Sequence, residues 1–260
     1  MQDYINENWK MLLQANDLLD FDRLWQLDTG WFEPPNRRRG GWSGVSQTSL
    51  QQSQGAPIGI FIKRQENHVY KSPRHPVRGE LTFTREFHNL LCYKKYNIPT
   101  LDLIYHAERH FGKDRRAILI TAELSGFVSL QDLVASWHVA TAPSRQQKLV
   151  LIHAVSRVVQ KLHHYRMQHN CLYPKHIFIK QQENDIDVRL IDLEKTRQRW
   201  CRMSACLRDL DTLNRHSSEW SRTDRLRFLL AYMGRTNMDK GVKTLWRQLD
   251  KKRKKKSPRT

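Results

Sequence analysis

Residues 167–179 read MQHNCLYPKHIFI, a polar loop that runs into a short apolar strand. We expect HIFI (176–179) to pair with DVRLIDLE (187–194) as a small hairpin across the polar turn KQQEND. His169 and His176 frame the loop, and Cys171 lies between them. Either this loop carries catalytic groups or the two histidines share this spacing by accident.

The segment before the loop, residues 145–167, predicts the best helix of the chain, because its apolar side chains recur with a 3.6-residue period. A short helix is expected at 129–136, and helices of mixed charge follow residue 200. The first half of the chain predicts the order strand, strand, helix, strand, strand. The segments are 45–50, 58–65, 80–96, 101–110 and 115–124.

Three segments are expected to lie outside this pattern. Residues 1–36 look helical at first and then loop-like, with Pro34-Pro35 ending the element. Residues 66–79 predict a loop, because two prolines and Gly79 fall there. Residues 251–260, KKRKKKSPRT, predict a solvated basic tail.

The chain is strongly basic. Lysine and arginine total 45 against 26 aspartate and glutamate residues, which gives a formal charge of +19. Such an excess favours an anionic partner, whether nucleic acid, a phosphorylated ligand or an anionic membrane surface. Nucleic acid is the least favoured of these, because no recognised DNA- or RNA-binding motif accompanies the charge.

Cysteine usage and the N-terminal sequence bear on the compartment. The four cysteines form no C-x-x-C pair, which indicates reduced thiols. The first residues lack the basic and apolar regions of a signal peptide. We therefore expect a cytoplasmic protein.

Several side chains stand out as candidates for chemistry. Lys63 lies in an apolar run near the end of a predicted strand, where an ammonium group needs an anionic partner. Glu86, in the centre of the next helix, is the expected partner. Gly41 and Gly44 belong to a glycine-rich turn whose backbone could approach phosphate, although most such clusters are plain turns. Asp192 follows an apolar strand and suits Mg²⁺, with a turn-capping aspartate as the alternative.

The histidines of this region do not predict a zinc site. Their spacing differs from that of a zinc finger, and no cysteine pair accompanies them. His169 is expected to be a structural histidine that packs under the loop.

The order of these features follows the order of the protein-kinase motifs. The chain resembles the lipopolysaccharide core kinase family of the Kdo/WaaP type, and within that family the InaA-like branch. The resemblance covers residues 38–233. The segments that carry it are RGGWSGV, FIKRQEN, GELTFTREFHN, IPT, TAELSGFVSLQDL, HNCLYPKHIFI, LIDLEKTR and RDLDTLNRHSSEWSRTDRLRFLLAY.

The resemblance implies a two-lobed, protein-kinase-like α+β fold, with a small antiparallel-sheet N-lobe and a short, mainly helical C-lobe. Residues 1–36 would form an N-terminal helical extension, 37–124 the N-lobe, 125–250 the C-lobe and 251–260 a disordered basic tail.

The resemblance also implies an activity, the transfer of the γ-phosphate of ATP, with Mg²⁺, to a sugar hydroxyl of the lipopolysaccharide inner core, typically that of a heptose. The short segment after Asp192 also favours a glycan acceptor over a protein. The implied partner is the core glycolipid, with peripheral contact to the anionic inner face of the cytoplasmic membrane.

Roles for individual residues follow from the resemblance by position. They are Lys63 for the α- and β-phosphates, Glu86 to hold Lys63, Gly41 and Gly44 beside the phosphates, Glu123 and Ser125 for adenine, Asp192 with His176 for Mg²⁺, and Asp209 to brace the loop from below.

The chain departs from the kinase pattern on the loop itself. Cys171 stands where a kinase has its aspartate base, and His176 replaces the asparagine that binds metal. A thiol is neutral near pH 7 unless its pKa is depressed, and it is a poor Mg²⁺ ligand. Three alternatives stay open: a slow kinase, a kinase that uses another carboxylate, and a catalytically impaired nucleotide-binding pseudokinase that acts as a regulator or scaffold.

Overall fold

The computed structural model describes residues 3–38, 40–72, 75–137, 143–183 and 185–256. The chain divides into two compact units. The first unit comprises Met1–Cys92 and Leu101–Ser125, and the second comprises Tyr93–Thr100 and Gly126–Thr260.

The first unit is built mainly from antiparallel strands. Its elements are β1 (Tyr4–Ile5), α1 (Glu7–Ala15), α2 (Phe21–Gln26), β2 (Glu33–Arg38), β3 (Gly41–Leu50), β4 (Ile58–Glu66), β5 (Val69–Ser72), β6 (His75–Leu81), α3 (Thr82–Lys95, whose last residues belong to the second unit), β7 (Leu103–Phe111) and β8 (Asp114–Ala122).

Six of these strands form one sheet in the order β1-β7-β8-β4-β3-β2. Strands β3 and β4 pair without interruption from Trp42–Glu66 to Leu50–Ile58, and β8 pairs with the other side of β4. The expected order of strand, strand, helix, strand, strand is confirmed for β3, β4, α3, β7 and β8. Strand β4, which carries Lys63, therefore lies inside the sheet.

Two expectations for this unit were wrong because prolines are tolerated in strands that pair on one side only. Pro34 and Pro35 do not end the ordered structure, since both lie in β2. Strand β2 is an edge strand, where a missing backbone N–H removes no necessary ladder bond, and its register with β3 shifts at the two prolines.

The second wrong expectation was the loop at 66–79, where β5 and β6 form a two-stranded ribbon. The buried side chain of Gln65 fixes this ribbon, because its Nε2 donates to the His68 carbonyl (3.0 Å) and its Oε1 accepts from the Phe83 N–H (2.6 Å). Pro76 is tolerated because β6 pairs on one side only. Pro73 lies outside the described residues.

The N-terminal helices belong to the first unit and share its core. Apolar side chains of α1, α2 and the segment between them pack with inward-facing side chains of the sheet. The cluster contains Leu13, Leu18, Phe21, Leu24, Leu50, Ile60, Ile62, Ile104, Tyr105, Ala107, Ile118, Ile120 and Ala122. The segment expected as a separate N-terminal extension, residues 1–36, thus belongs to the first unit, and its two helices contribute to that unit's core.

A buried arginine on β4 ties the N-terminal segment to the sheet. Arg64 Nη1 donates to the carbonyls of Trp25 (2.9 Å) and Leu27 (2.7 Å), and Nη2 donates to Ser46 Oγ (2.8 Å). Successive side chains of a strand point to opposite faces, so Arg64 faces away from its neighbour Lys63. One strand thereby anchors the segment after α2 on one face and presents a lysine on the other.

The second unit is mainly helical. Its elements are β9 (Val128–Ser129), α4 (Leu130–Ser136), α5 (Arg145–His164), β10 (Met167–Gln168), β11 (Ile177–Gln181), β12 (Ile186–Leu190), β13 (Arg197–Gln198), α6 (Arg202–Arg215), α7 (Arg222–Met233) and α8 (Lys240–Lys256), with short 3₁₀ turns at Pro174–His176 and Leu193–Lys195.

The predicted hairpin is confirmed, with Ile177 opposite Leu190 and β9 on the other side of β11. Helix α5 begins at a complete capping box between Ser144 and Gln147. It ends three residues earlier than expected, because Arg166 adopts the left-handed conformation (φ 58°) and Met167 then enters β10.

The C-terminal residues are more ordered than the sequence suggested. Residues 251–256 were expected in a disordered tail, but they continue α8 to Lys256. The buried side chains of Val242, Leu245 and Leu249 anchor this helix, and basic residues are favourable near a helix C-terminus. Residues 257–260 lie outside the described residues. Within the described chain, no helix is both long enough and apolar enough to span a bilayer.

We expect Arg64→Met to lower the free energy of unfolding by about 3 kcal/mol, because two carbonyls and one hydroxyl would lose a charged donor in a buried position. Thermal or denaturant unfolding measures this. The matched control is Arg23→Met on α2, whose guanidinium is exposed and pairs with Asp17, and which should cost less than about 1 kcal/mol. Equal losses in both variants would contradict the anchoring role of Arg64.

Candidate active site

The first unit holds a buried ion pair between strand β4 and helix α3. Lys63 Nζ lies 2.7 Å from Glu86 Oε1, and the Glu86 side chain is only 3% exposed. The Lys63 side chain is 17% exposed, and its ammonium lies 5.9 Å from the centre of the Phe83 ring. The contact expected between these two side chains is therefore present.

The two glycines of the glycine-rich segment lie in strand β3 and not in an open loop. A Cβ on Gly41 would collide with the backbone of Glu66 and lie 2.6 Å from the His68 nitrogen. A Cβ on Gly44 would lie 2.5 Å from the Trp31 ring. Both positions therefore require glycine for close packing within the unit, whatever else the segment binds.

Glu123 and Ser125 follow the end of β8. The Glu123 N–H donates to the Gly59 carbonyl (2.9 Å), so this donor is already used. Its side chain packs so closely on Gly59 that any Cβ there would overlap it. Gly59 was not among the expected site residues. An isolated glycine in an apolar strand was the available signal.

In the second unit, Asp209 organises the histidine-framed loop. Its Oδ2 accepts from the His169 N–H (2.6 Å), and its Oδ1 accepts from the Asn170 N–H (2.9 Å). The carboxylate is fully buried, and two charge-assisted bonds offset the cost of that burial. Asn170 has a positive φ of 66°, so the bonds hold the backbone in a conformation that few residues adopt.

His163 extends this network into the helical core. Its Nε2 lies 3.2 Å from Asp209 Oδ2 and its Nδ1 lies 2.9 Å from the Tyr232 hydroxyl. Burial raises the pKa of Tyr232, so the hydroxyl is protonated and donates to Nδ1, while Nε2 carries the proton that faces the carboxylate. Sequence analysis had not assigned this role to His163, although a histidine on the apolar face of α5 was the visible signal.

His169 is structural, as expected. The side chain is completely buried, burial lowers its pKa so that the ring is neutral, and Nδ1 accepts from the Cys171 N–H at 3.3 Å. Its ring shapes the backbone of the loop beneath Cys171.

Cys171 is a protonated thiol in this environment. Burial raises its pKa, and the negative charge of Asp192 raises it further. The positive charge of Lys195 is near enough to act on the thiol and opposes this rise. Burial lowers the pKa of Lys195, but Cys171, Glu194 and Asp192 outweigh that effect and raise it overall. Where a kinase has a carboxylate base, this chain therefore presents a neutral thiol beside a positive charge.

Asp192 occupies a strained position two residues after the end of β12. Its φ and ψ are 61° and 60°, a left-handed conformation that costs a non-glycine residue energy and is concentrated at functional sites. Its Oδ2 lies 3.4 Å from His176 Nδ1, which also lies 2.9 Å from the Cys171 carbonyl. A carbonyl only accepts hydrogen bonds, so Nδ1 carries a proton in this contact and Nε2 is the ring nitrogen left for another ligand.

The donor set decides which metals this region suits. The described residues contain no group of three or more histidine, cysteine, aspartate or glutamate side chains placed to hold a metal by themselves. Mg²⁺ usually takes only one or two protein carboxylates and completes its shell with phosphate oxygens and water. Asp192 and His176 therefore fit a cation that arrives with a phosphate ligand and do not fit a structural zinc site.

Comparison with known proteins decides the family. The sequence model of the lipopolysaccharide kinase (Kdo/WaaP) family matches residues 22–232. The chain belongs to this family. The family expected from the sequence motifs is thus confirmed. The matched range, 22–232, begins before the expected range of 38–233 and ends one residue before it.

Two relatives from Escherichia coli (strain K12) are similar along much of the chain. Protein InaA is 28% identical over 197 residues, which cover 76% of this chain and 88% of InaA. The lipopolysaccharide core heptose(I) kinase WaaP is 27% identical over 172 residues, which cover 63% of each chain. The longer match to InaA agrees with the expected InaA-like branch of the Kdo/WaaP family.

A solved structure of WaaP in complex with acyl carrier protein has the same fold. It superposes with a TM-score of 0.68 over 98% of this chain and 99% of its own, at 20% identity. The expected two-lobed, protein-kinase-like α+β fold is confirmed.

We expect Asp209→Asn to lower the free energy of unfolding by about 2 kcal/mol, because the amide replaces a charged acceptor of two backbone N–H bonds with one neutral acceptor and one donor. Chemical denaturation measures the loss. Asp185→Asn in the same unit is the control, since Asp185 is exposed and pairs with Arg157 at 3.4 Å, and should change little. A loss no larger than the control's would show that Asp209 does not brace the loop.

Proposed function

We propose that this protein is an ATP-dependent kinase that phosphorylates a sugar hydroxyl, that of a heptose, in the lipopolysaccharide inner core. Membership of the Kdo/WaaP family supports the reaction class, and the name of the WaaP relative supports the heptose. The observation that carries the proposal is the buried Lys63–Glu86 ion pair at 2.7 Å. Such a pair holds a lysine in the fixed position that nucleotide phosphates require.

In the first unit, Lys63 would bind the α- and β-phosphates while Glu86 fixes its rotamer. Gly41 and Gly44 would lie beside the phosphates through their backbone groups only, because the Glu66–His68 backbone and the Trp31 ring occupy the space of their missing side chains. The Glu123 carbonyl and the backbone of Ser125 would meet adenine, because the Glu123 N–H is already bound to Gly59.

In the second unit, Asp192 would hold the Mg²⁺ that accompanies ATP, with His176 as its neighbour. When bound, Mg²⁺ supplies charge neutralisation for the phosphates. The His176 Nδ1–H holds the Cys171 carbonyl and faces Asp192 Oδ2, which orients the carboxylate. Nε2 is the imidazole atom that would face a metal.

The reaction would proceed without a carboxylate base at position 171. Phosphoryl transfer depends mainly on positioning and on neutralising the charge of the transferred group, so a protonated thiol slows the reaction without removing the nucleotide site. Lys195, beside the thiol, would stabilise negative charge near the transferred group. General-base help is worth roughly 10²–10⁴-fold, and we expect turnover below that of a kinase with an aspartate here.

The implied acceptor is part of a glycolipid, which places the reaction at a membrane face. Peripheral contact with an anionic bilayer would suit the formal charge of +19. The acceptor class is a heptose-bearing core oligosaccharide or the intact core glycolipid.

We expect the wild type to transfer label from γ-³²P-ATP to a heptose-bearing core acceptor and not to a core that lacks heptose. Lys63→Met should reduce transfer by about a hundredfold or more, whereas Lys10→Met, at an exposed position, should not. Cys171→Ala should stay within about threefold of wild type, because a neutral thiol supplies no base catalysis. Undiminished transfer by Lys63→Met, or no transfer to any core acceptor by a protein that binds ATP, would contradict the proposal.

A further inference from the structure

The segment that follows the Asp192 loop exposes large apolar side chains. Trp200 is 98% exposed and Met203 is 52% exposed. Tryptophan is highly buried on average in folded proteins, so a nearly fully exposed one calls for a partner. We call residues 199–203, with sequence RWCRM, the Trp200 tip.

Both ends of the Trp200 tip are fixed to the second unit. Before it, β13 pairs with β10, with Met167 opposite Gln198, and the Arg199 N–H donates to the Arg166 carbonyl at 2.8 Å. After it, α6 begins at Arg202. The tip is therefore presented by ordered structure and is joined through β10 to the loop that carries Cys171.

The charge around the tip has one sign. Between residues 196 and 208 the sequence contains four arginines, at positions 197, 199, 202 and 208, and no aspartate or glutamate. Arg202 is exposed, and Arg199 is half-buried with Nε 3.5 Å from Ser204 Oγ. An exposed tryptophan among arginines combines an amphipathic anchor with phosphate-binding groups.

We propose that the Trp200 tip docks this protein onto an anionic bilayer, with Trp200 and Met203 in the interfacial layer and the flanking arginines at the lipid phosphates. Tryptophan is favoured at the interface of a bilayer because one end of the side chain is apolar and the other is polar. Basic residues near an anionic surface add to the attraction.

Other partners fit the tip less well. A stable protein interface needs about 800 Å² on each partner, and the tip offers two exposed apolar side chains. Single-stranded nucleic acid needs successive aromatic stacking platforms, and the tip has one. The need for a membrane partner rests on the glycolipid acceptor proposed above, but the docking itself is independent of any phosphate transfer.

The test is binding to vesicles of phosphatidylcholine with and without phosphatidylglycerol, measured by co-sedimentation at low salt. We expect wild type to bind only the anionic vesicles. Trp200→Ala should weaken binding about tenfold through lost apolar burial, and Trp200→Phe should restore most of it. Arg199→Gln with Arg202→Gln should weaken binding about 25-fold, from about fivefold for each charge.

Matched controls separate the tip from general effects of charge and exposure. Met11→Ala removes an apolar side chain that is 83% exposed in the first unit, and Lys113→Gln with Arg145→Gln removes two exposed charges elsewhere. Neither control should weaken binding more than twofold. Equal effects of tip and control variants would overturn the proposal, as would wild type that fails to bind anionic vesicles.

The chain also supplies a reporter inside the tip, the exposed thiol of Cys201. In a Cys92→Ser background, an environment-sensitive dye on Cys201 should shift to the blue when anionic vesicles are added, and an unchanged spectrum would contradict insertion. Measuring ATP binding on the Trp200→Ala protein keeps the two proposals apart. If wild type binds vesicles through the tip but does not bind ATP, the kinase proposal fails and the docking surface stands.

Discussion

The buried ion pair between Lys63 and Glu86 is the constraint on which the first unit's chemistry depends. Removing two charges from water is costly, and an apolar pair of similar volume often gives equal or greater stability. A chain that needed only a stable sheet would gain nothing from this pair. Its presence on an inner strand, 2.7 Å between the charged atoms, is explained when the ammonium must be held at one place for an anionic ligand.

The second unit also buries a charged group, the carboxylate of Asp209. Asp209 is buried with no ion pair to a lysine or arginine among the described residues, and two backbone N–H groups and His163 satisfy it. Because two of its partners are backbone N–H groups, Asp209 stabilises the conformation of the loop. Asn170 and Asp192 both have positive φ values, so the braced loop and the segment that carries Asp192 each hold one residue in the left-handed conformation. A rigid loop of this kind positions groups without requiring a proton acceptor at Cys171.

Much of this arrangement could be predicted from the sequence, because several signals were local. The apolar run around Lys63 predicted β4, the period of α5 predicted the long helix, and the apolar strand before Asp192 predicted its position at a strand end. The Lys63–Glu86 contact followed from the order of the motifs. The predictions were wrong where tertiary contacts outweigh local signals. Pro34 and Pro35 are tolerated because β2 is an edge strand. The hydrogen bonds of Gln65 order the segment 66–79, which its prolines had indicated to be a loop.

Several contacts of the site could not be predicted from the sequence. Nothing in the composition indicated that Gly44 faces Trp31, that His163 links Tyr232 to Asp209, or that the charge of Lys195 acts on the Cys171 thiol. These contacts join residues far apart in the chain, and each residue type has a common structural explanation. The nucleotide roles of Glu123, Ser125 and His176 rest on position within the family and remain proposals.

The central claim is that ATP binds with a Mg²⁺ ion held by Asp192. Calorimetry of ATP binding with and without Mg²⁺, on wild type and on Asp192→Asn, tests it most directly. We expect wild type to bind ATP more tightly with Mg²⁺, and we expect the variant to lose this enhancement, about tenfold or more, while its metal-free affinity is unchanged. Wild type that binds no ATP, or a variant with the same Mg²⁺ enhancement as wild type, would contradict it.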